Sequence, residues 1–477
     1  KEFREHSVAV WEAGKPTDEG PFFVHVLDDV IAEQPFAFAA VNSVEARHML
    51  LPLRARGVPS VALLHEFASY TLPRSAYPNA ISWADQTVFS TRLTLDNAVE
   101  THHLTRTPTL HLLPQGKCEV PPAARSPAER KLERTRLSEL FRPNGESSRR
   151  FIVIGAGYVQ IRKGVDLFID TAMRVLNDPA GKSAIFVWIG AGYDPEKDFA
   201  YSVYLQDQLR RAGLTERVLV IPETPEIEAV YSLADALVLT SRLDPLPNVA
   251  IDAMCAGLPV LCFDRTTGIA ESLTDAGLQD ACVSGYLDTT DLADKLITLA
   301  SSSQALDEVA EKVRTYAKVA FDFEAYAARI EKLAVSANDF PAILNEDAET
   351  IRASGRFRPD FCLEAQSRHG QLLDGIGTYI KRIRCGVYPR RPEPGFHPYI
   401  YAEHLAGTLR AGADPYAEFL RRGRPDGPWM LPVSDGGGAD SADMKPIPVR
   451  AALHIQAYYT DQLADVVQRL EKNATRP

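Results

Sequence analysis

Residues 236–263 read ALVLTSRLDPLPNVAIDAMCAGLPVLCF and contain the clearest strand–helix–strand pattern of the chain. Two short apolar runs, 236–239 and 260–263, lie on either side of a helical pattern at 249–256. Short apolar runs bounded by turn residues are typical of buried strands. A strand, a helix and a second strand in succession therefore predict a parallel pair of strands with the helix packed against it.

The same alternation extends over residues 151–305 and, less clearly, over residues 1–116. Alternating strands and helices predict parallel sheets covered on both faces, so we expect two doubly wound α/β lobes. The first lobe is short for a complete doubly wound domain. Further strands are predicted at 151–154, 184–189 and 218–221 in the second lobe, and at 22–27, 36–41, 60–64, 86–90 and 109–113 in the first.

The composition of the 477 residues is that of ordinary globular domains, and the length suits roughly three of them. A net charge of -11 argues against broad nucleic-acid binding, which needs a basic face. The six cysteines form no Cys-x-x-Cys pair, which indicates free thiols in a reducing compartment. The sequence has no run of 18 apolar residues and no signal peptide, and its start at Lys1 leads us to expect a longer natural chain.

Two glycine-rich turns follow predicted strands of the second lobe. GAGYVQIRKG occupies residues 155–164, and WIGAGY occupies residues 188–193. Glycine lets the backbone approach a ligand closely, and open parallel sheets bind ligands at the carboxyl ends of their strands. Arg162 and Lys163 precede a predicted helix, whose N-terminus favours an anion such as a diphosphate. Each turn alone is equally compatible with a purely structural role.

Two acids follow the predicted strand at 236–239. Asp244 lies in the loop, Asp252 lies about one turn into the helix, and Asn248 is placed to cap that helix. Carboxylates suit sugar hydroxyls because they accept two hydrogen bonds with a fixed geometry. The alternative is structural: Asp244 caps a turn, and Asp252 offsets the helix dipole.

Together these segments resemble glycosyltransferase family 4, whose members have the two-lobed GT-B fold. The resemblance is close over residues 151–275 and loose over residues 36–116. Lys163 matches the lysine that follows the glycine-rich turn of the family. Asp244 and Asp252 match the two acids of its motif of Glu, seven residues and Glu.

The resemblance implies a role for each matched residue. Lys163 would contact the donor diphosphate, Asp244 the transferred sugar and Asp252 the ribose. His65 ends the predicted strand VALLH and is similar to a family histidine that faces the sugar from the first lobe. The further donor-binding residues are Gly157, Tyr158, Arg162, Gly190, Pro222, Asn248 and Val249.

Three departures from the family pattern bear on activity. Both motif glutamates are aspartates here, one methylene shorter. Tyr158 stands where the family often has arginine, a role that Arg162 can take over. A Pro-Leu-Pro segment replaces the family's Gly-Phe-Gly and removes amide donors, so phosphate would rely on the amides of Asn248 and Val249.

The resemblance implies a retaining glycosyltransferase that moves a sugar from a nucleoside diphosphate sugar to a glycan or lipid-linked glycan. It places the enzyme in bacterial surface polysaccharide synthesis, such as O-antigen or rhamnan, in the cytoplasm with peripheral contact to the inner membrane. It implies no metal and no other cofactor. Two alternatives stay open: a sugar-nucleotide epimerase or phosphorylase on the same fold, and a non-catalytic scaffold for a neighbouring transferase domain.

The resemblance also divides the chain. We expect an N-terminal acceptor lobe, a linker, a nucleotide-sugar donor lobe, a helix returning toward the first lobe, a mainly helical connector, and the start of a further α/β domain of rhamnan-synthesis type. The corresponding ranges are 1–116, 117–150, 151–305, 306–336, 340–432 and 449–477.

Overall fold

A computed structural model of the chain shows two α/β lobes and a helical extension. It describes residues 22–33, 36–118, 126–142, 150–337, 340–362, 375–387, 390–405, 408–409, 413–431 and 433. The α/β domain predicted at 449–477 lies outside these residues.

The first lobe is built on a four-stranded parallel sheet. Its strands are β1 (Ala39–Asn42), β2 (Ser60–Leu64), β3 (Gln86–Phe89) and β4 (Leu110–Leu112), and its helices are α1 (Phe22–Glu33), α2 (Leu50–Ala55), α3 (Ala76–Trp83) and α4 (Arg92–His102). The strands lie in the order β1-β2-β3-β4. Every residue of β2 is buried, as expected of a strand inside a parallel sheet with both faces covered.

The strand predicted at 22–27 is wrong, because these residues begin helix α1. The run FFVHVL has the length of a buried strand, and length alone favoured that interpretation. The apolar pattern continues past it with helical spacing. Leu27 and Ile31, four positions apart, both pack against the core of the first lobe.

The second lobe contains a six-stranded parallel sheet. Its strands are β5 (Ile152–Ala156), β6 (Ile185–Ile189), β7 (Val218–Ile221), β8 (Ala236–Leu239), β9 (Val260–Phe263) and β10 (Val283–Ser284), and its helices are α5 (Pro127–Phe141), α6 (Val165–Asn177), α7 (Ser202–Arg211), α8 (Ile227–Leu233), α9 (Asn248–Ala256), α10 (Ile269–Asp275), α11 (Gln279–Cys282) and α12 (Thr289–Ser301). The order is β10-β9-β8-β5-β6-β7.

The chain adds strands on one side of β5 first and then, from β8 onward, on the other side. The chain runs outward from β5 through β6 to β7, and then returns to place β8 on the other side of β5. A crevice opens at such a switch point, beyond the carboxyl ends of the two strands, and open α/β sheets bind their ligands there. The loops that leave β5 and β8 carry the first glycine-rich turn and Asp244.

Two long helices connect the lobes. Helix α13 (Ser303–Ala320) packs against the core of the second lobe, whereas α14 (Phe323–Ser336) crosses to the first. Ile330, Leu333 and Ala334 of α14 form a small core with residues of β2 and β3. The second lobe is thereby followed directly by a helix that completes the first.

The helical extension has an aromatic core of its own. It consists of α15 (Phe340–Ser354), α16 (Pro359–Cys362), α17 (Gly375–Cys385), α18 (Pro398–His404) and α19 (Pro415–Arg421). The rings of Phe396 and Phe419 stack with centroids 4.2 Å apart, and those of Tyr401 and Trp429 meet edge to face at 4.8 Å. Such pairs add specific ring contacts to the area that the aromatic side chains bury.

Helix α17 docks this extension onto the first lobe. Cys385 and Val387 belong to the core of that lobe. Between them the backbone passes so close to Thr105 that a Cβ at Gly386 would lie 1.9 Å from the Thr105 carbonyl oxygen. The segment predicted as a connector therefore contributes part of the first lobe's packing. Within the described residues, none of the helices is long and apolar enough to cross a membrane.

Shortening the side chain at Leu333 should weaken the attachment of α14 to the first sheet. Leu333 is 7% exposed, and Leu333→Ala should lower the free energy of unfolding by about 2–4 kcal/mol through lost burial and a residual cavity. Val335, on the same helix, is 53% exposed, so Val335→Ala should change it by less than about 0.5 kcal/mol. Urea denaturation of the three proteins checks this, and equal effects would contradict the packing of α14.

Candidate functional site

The two glycine-rich turns of the second lobe lie against each other at the carboxyl ends of β5 and β6. The Gly157 amide donates to the Ile189 carbonyl at 2.9 Å, and Trp188 Nε1 donates to the Gly157 carbonyl at 2.9 Å. A Cβ at Gly190 would lie 2.1 Å from the Gly157 oxygen. The sequence predicted one crevice lined by both turns, and the structure brings Gly157 and Gly190 together there.

Tyr158 extends from the first turn over the second. Its side chain is 59% exposed, and a Cβ at Gly192 would lie 2.6 Å from the ring. The ring therefore covers the second turn. An aromatic ring at the edge of the crevice offers a flat apolar surface and a hydroxyl group instead of a charge.

Lys163 and Arg162 converge on Asp244 across the switch point. Lys163 Nζ lies 2.5 Å from Asp244 Oδ2, and Arg162 Nη1 lies 3.3 Å from Oδ1. Ser241 Oγ also donates to Asp244 Oδ2, at 3.1 Å. Asp244 is 5% exposed, so this carboxylate is removed from water and shares two cations. These three side chains together keep one net positive charge, which favours an anion beside them.

A second ion pair, which the sequence analysis missed, fixes the base of this cluster. Arg242 donates to both oxygens of Asp166, at 3.0 and 2.7 Å, and Tyr201 Oη donates to the same carboxylate at 2.6 Å. Burial raises the pKa of Asp166, but the hydrogen bonds from Arg242 and Tyr201 outweigh it and leave the pKa below its usual value. Arg242 also binds the Ile161 carbonyl and so holds the turn that precedes Lys163.

The N-terminus of α9 differs from the prediction in its cap. Asn248 was expected to cap the helix, but it is the first helical residue, and Pro247 occupies the cap position without a side-chain hydrogen bond. The reason is that Pro247 adopts the extended backbone of a cap residue, so the helix starts one residue earlier than predicted. Asn248 is exposed, and its Oδ1 accepts from Gln115 Nε2 at 2.6 Å. Pro247 leaves the first amides of the helix, at Asn248 and Val249, without a side-chain cap.

Asp252 lies within the same helix and is half-buried. Burial raises its pKa above the usual value, Lys117 opposes this, and Glu228 of α8 adds to it. Pro222, at the carboxyl end of β7, is exposed beside the crevice rim. Asp252 is thus a carboxylate whose charge would gain from hydroxyl donors of a ligand.

His65 reaches the site from the first lobe, at the carboxyl end of β2. Its Nε2 lies 2.7 Å from Asn42 Oδ1, and its amide donates to Glu66 Oε2 at 3.1 Å. Burial lowers the pKa of His65, although Glu66 and Gln115 oppose this shift. The lowered pKa favours the neutral imidazole. Gln115 reaches the second lobe, because its Nε2 donates to the Leu246 carbonyl at 3.0 Å.

A second contact between the lobes lies at the N-terminus of α4. Glu271 of the second lobe accepts from the amides of Arg92 and Leu93, at 3.0 and 2.7 Å. Burial raises the pKa of Glu271, and the two amides oppose that rise. Beside it, a Cβ at Gly268 would lie 2.0 Å from the Thr91 methyl group. The two lobes therefore meet at Gln115 and again at Glu271.

Comparison with known proteins identifies the second lobe. A model of the family described as "Glycosyl transferases group 1" matches residues 138–319, which span every predicted donor-site residue of this lobe. The chain therefore contains a group 1 glycosyltransferase domain. His65 lies outside the matched range.

Three curated relatives carry glycosyltransferase or synthase names. The chain is 28% identical over 124 residues to the lipopolysaccharide core biosynthesis mannosyltransferase LpsB of Rhizobium meliloti, covering 26% of this chain and 34% of that protein. It is 26% identical over 179 residues to mannosylfructose-phosphate synthase of Agrobacterium fabrum, covering 37% of each. It is 32% identical over 73 residues to the amylovoran biosynthesis glycosyltransferase AmsD of Erwinia amylovora, covering 15% of this chain and 21% of that protein. The matches thus span about a third of the first two relatives.

Solved structures show the fold of both lobes. The complex of Anabaena HepE with UDP-glucose superimposes with a TM-score of 0.56 at 18% identity, covering 70% of this chain and 88% of that one. Sucrose-phosphate synthase from Thermosynechococcus elongatus gives 0.51 at 16% identity, covering 66% and 76%. The predicted GT-B fold, two parallel-sheet lobes with a helical extension, is confirmed.

Adding a single methyl group at Gly190 should disrupt the contact between the two turns. The Cβ of Gly190→Ala would meet a backbone oxygen, which has no rotamer to relieve the overlap, so we expect a loss of about 1–3 kcal/mol in stability. At Gly285 the nearest atom would lie 3.4 Å away, so Gly285→Ala is the matched control and should have little effect. Thermal unfolding of both variants decides, and an unchanged Gly190→Ala would refute the close approach.

Proposed function

We propose that the chain is a retaining glycosyltransferase of family 4 that uses a nucleoside diphosphate sugar. The observation that carries this proposal is the cluster of Lys163, Arg162 and Asp244 at the switch point of a group 1 glycosyltransferase domain. The uncapped N-terminus of α9 adds amide donors beside it. The UDP-glucose bound by HepE makes uridine the first base to test.

The residues of the crevice suit the departure of a diphosphate. Charge builds on the leaving group in the transition state, and donors already in place stabilise it without reorganising. Lys163 and Arg162 supply that charge, with the Asn248 and Val249 amides as neutral donors. Asp252 holds the ribose, and Asp244 exchanges its cations for the hydroxyls of the donor sugar. The lysine, the arginine and the helix dipole make a divalent metal unnecessary, so transfer should persist in EDTA.

The first lobe contributes the other side of the reaction site. His65, whose lowered pKa favours the neutral imidazole, hydrogen-bonds a hydroxyl of the transferred sugar, and the acceptor enters between the lobes. Closure of the lobes keeps water from the activated sugar and so limits hydrolysis. Glu271 and Gln115 support this arrangement, because both hydrogen-bond across the lobes. Retention is read directly from the anomeric configuration of the product by proton NMR.

The acceptor is proposed to be a glycan or lipid-linked glycan of a bacterial surface polysaccharide, made at the cytoplasmic face of the membrane. The relatives named for lipopolysaccharide core and amylovoran biosynthesis support this class of product. Dependence on an acceptor separates the proposal from an epimerase, which needs only the sugar nucleotide. We also propose that residues 449–477 begin a further α/β domain of the rhamnan-synthesis type.

Donor binding should depend on the charge of Lys163. We expect one nucleoside diphosphate among those of uridine, guanosine and thymidine, together with its sugars, to raise the melting temperature by several degrees, since a ligand at 100 times its Kd stabilises by about 2.7 kcal/mol. Lys163→Ala should abolish the rise. Lys182→Ala, an exposed lysine in the same lobe, should preserve it.

These outcomes are separable from a non-catalytic scaffold. A rise with one base only, lost in Lys163→Ala and kept in Lys182→Ala, establishes a donor site and names the nucleotide. No rise with any nucleotide would overturn the transferase proposal for this domain. Binding without transfer to any glycan acceptor would favour the scaffold.

Substitutions of the two aspartates should affect the binding of different parts of the donor. Asp252→Asn removes the ribose acceptor, so it should weaken the nucleoside diphosphate and its sugar alike, by about tenfold or 1.4 kcal/mol. Asp244→Asn removes the anion paired with Lys163, so the free diphosphate should bind more tightly while the advantage of the sugar nucleotide is lost. Titration calorimetry with both ligands measures the four affinities. Equal weakening of both ligands by Asp244→Asn would exclude a sugar contact.

A further inference from the structure

Asn42, the last residue of β1, forms a side-chain pair with His65. Strands β1 and β2 are parallel neighbours, with Asn42 opposite Leu63. The carboxyl ends of both strands therefore lie at the same edge of the first sheet, where His65 follows β2. Asn42 is exposed, and its Oδ1 lies 2.7 Å from His65 Nε2. The asparagine is thus the immediate neighbour of the histidine that the sequence assigned to the donor sugar.

The imidazole of His65 is accessible to a ligand through one nitrogen only. Nδ1 is buried, whereas the contact between Nε2 and Asn42 lies at an exposed position. Burial lowers the pKa of His65, which favours the neutral ring with a single N–H. Because the carbonyl oxygen Oδ1 of Asn42 only accepts, that N–H belongs to Nε2. A ligand that hydrogen-bonds this histidine therefore does so at Nε2, beside Asn42.

The carboxylate of Glu66 holds the ends of both strands in place. One of its oxygens accepts from the Ser43 hydroxyl, and the other accepts from the amides of Val44 and His65, at 3.3 and 3.1 Å. Ser43 has a φ of 74° and a ψ of 146°, a conformation that is unfavourable for a residue with a side chain. The three hydrogen bonds offset this strain, and they fix the residue after Asn42 against the backbone of His65.

A hydroxyl group matches the pair, because it accepts one hydrogen bond and donates another. The Nε2–H group of His65 can donate to the hydroxyl oxygen, and the hydroxyl hydrogen can go to Asn42 Oδ1. Since these two side-chain atoms are 2.7 Å apart, a hydroxyl within hydrogen-bond distance of Nε2 is close to Oδ1 as well. An ether oxygen only accepts, so it would leave Oδ1 without its hydrogen.

We propose that Asn42 is a specificity-determining residue that binds, together with His65, one hydroxyl group of the transferred sugar. This inference rests on the proposed function, in which His65 contacts that sugar. Asn42 accepts the hydroxyl hydrogen, while His65 donates to the hydroxyl oxygen. A donor sugar without this hydroxyl leaves both side chains without their ligand partner, which is the kind of loss that gives strong discrimination. The nucleoside diphosphate alone makes neither contact.

Titration calorimetry on the full chain tests this with UDP, GDP and dTDP and with UDP-glucose, GDP-mannose and dTDP-glucose. Asn42→Leu should lower the affinity for the bound sugar nucleotide about tenfold and leave that for the matching diphosphate unchanged, because the lost hydrogen bond is made to the sugar. Asn42→Asp keeps an acceptor oxygen and should retain most of the affinity for the sugar nucleotide. Asn345→Leu, the same change at an exposed asparagine of α15, is the matched control and should alter neither affinity.

The outcomes separate this inference from the proposed function. No binding of any of these nucleotides to the unmodified chain contradicts both. Binding in which Asn42→Leu weakens the sugar nucleotide and the diphosphate equally, or weakens neither, overturns the role of Asn42 and leaves the donor site in place.

Nitrogen NMR of the chain labelled at histidine examines the pair without a ligand. The signal of His65 is the one that disappears in His65→Gln, and we expect its hydrogen on Nε2. Asn42→Asp should raise the pKa of His65, since a carboxylate beside Nε2 stabilises the imidazolium ion. A hydrogen on Nδ1, or a pKa that Asn42→Asp leaves unchanged, would also overturn the proposal, because Asn42 Oδ1 would then not face an N–H group.

Discussion

The close approach of two backbone turns at Gly157 and Gly190 is the constraint on which the donor site depends. A Cβ at Gly190 would overlap the Gly157 carbonyl, and that carbonyl is fixed in turn by Trp188. Gly157 has a φ of 139°, a conformation that side chains rarely adopt. Its open face receives the stem of Lys163, because a Cβ there would lie 3.1 Å from Lys163 Cε. Because neither glycine has a side chain, the two turns can pack closely and leave the space in which the Lys163 side chain lies.

The shorter acid at 244 fits this arrangement. Lys163 and Arg162 are neighbours in one turn, and both contact the carboxylate of Asp244. Their contacts compensate for a side chain that is one methylene shorter than glutamate. Arg162 also donates to the Leu243 carbonyl at 2.8 Å, which ties the loop of β8 to the turn after β5. Arg162, next to Lys163, thus supplies a guanidinium group to a turn that carries Tyr158 in place of the family's arginine. This supports the proposal that the chain binds its donor despite both substitutions.

The sequence predicted the strands that are buried on both faces and failed where tertiary context decides. The predicted strands 60–64, 236–239 and 260–263 coincide with the observed ones because they lie inside their sheets and are buried along their whole length. The strand 218–221 also coincides, although it lies at the edge of the second sheet. The two-residue strand β10 was missed, since it has no pattern of its own. Glu271 and Gln115 were invisible because their partners lie 178 and 133 positions away. Arg242 could have been singled out from the sequence, because it lies in the same loop as Asp244.

The two hydrogen-bonded contacts between the lobes, at Glu271 and at Gln115, hold different parts of the structure. Glu271 binds amides at a helix end, so it holds α4 in place without touching the crevice. Gln115 instead joins the carbonyl of Leu246 and the side chain of Asn248 to the surroundings of His65. A separation of the lobes therefore breaks the hydrogen bonds that Gln115 makes at the N-terminus of α9. Under the proposed function, in which His65 contacts the sugar and the N-terminus of α9 contacts the diphosphate, Gln115 lies between the elements that hold the two ends of the donor.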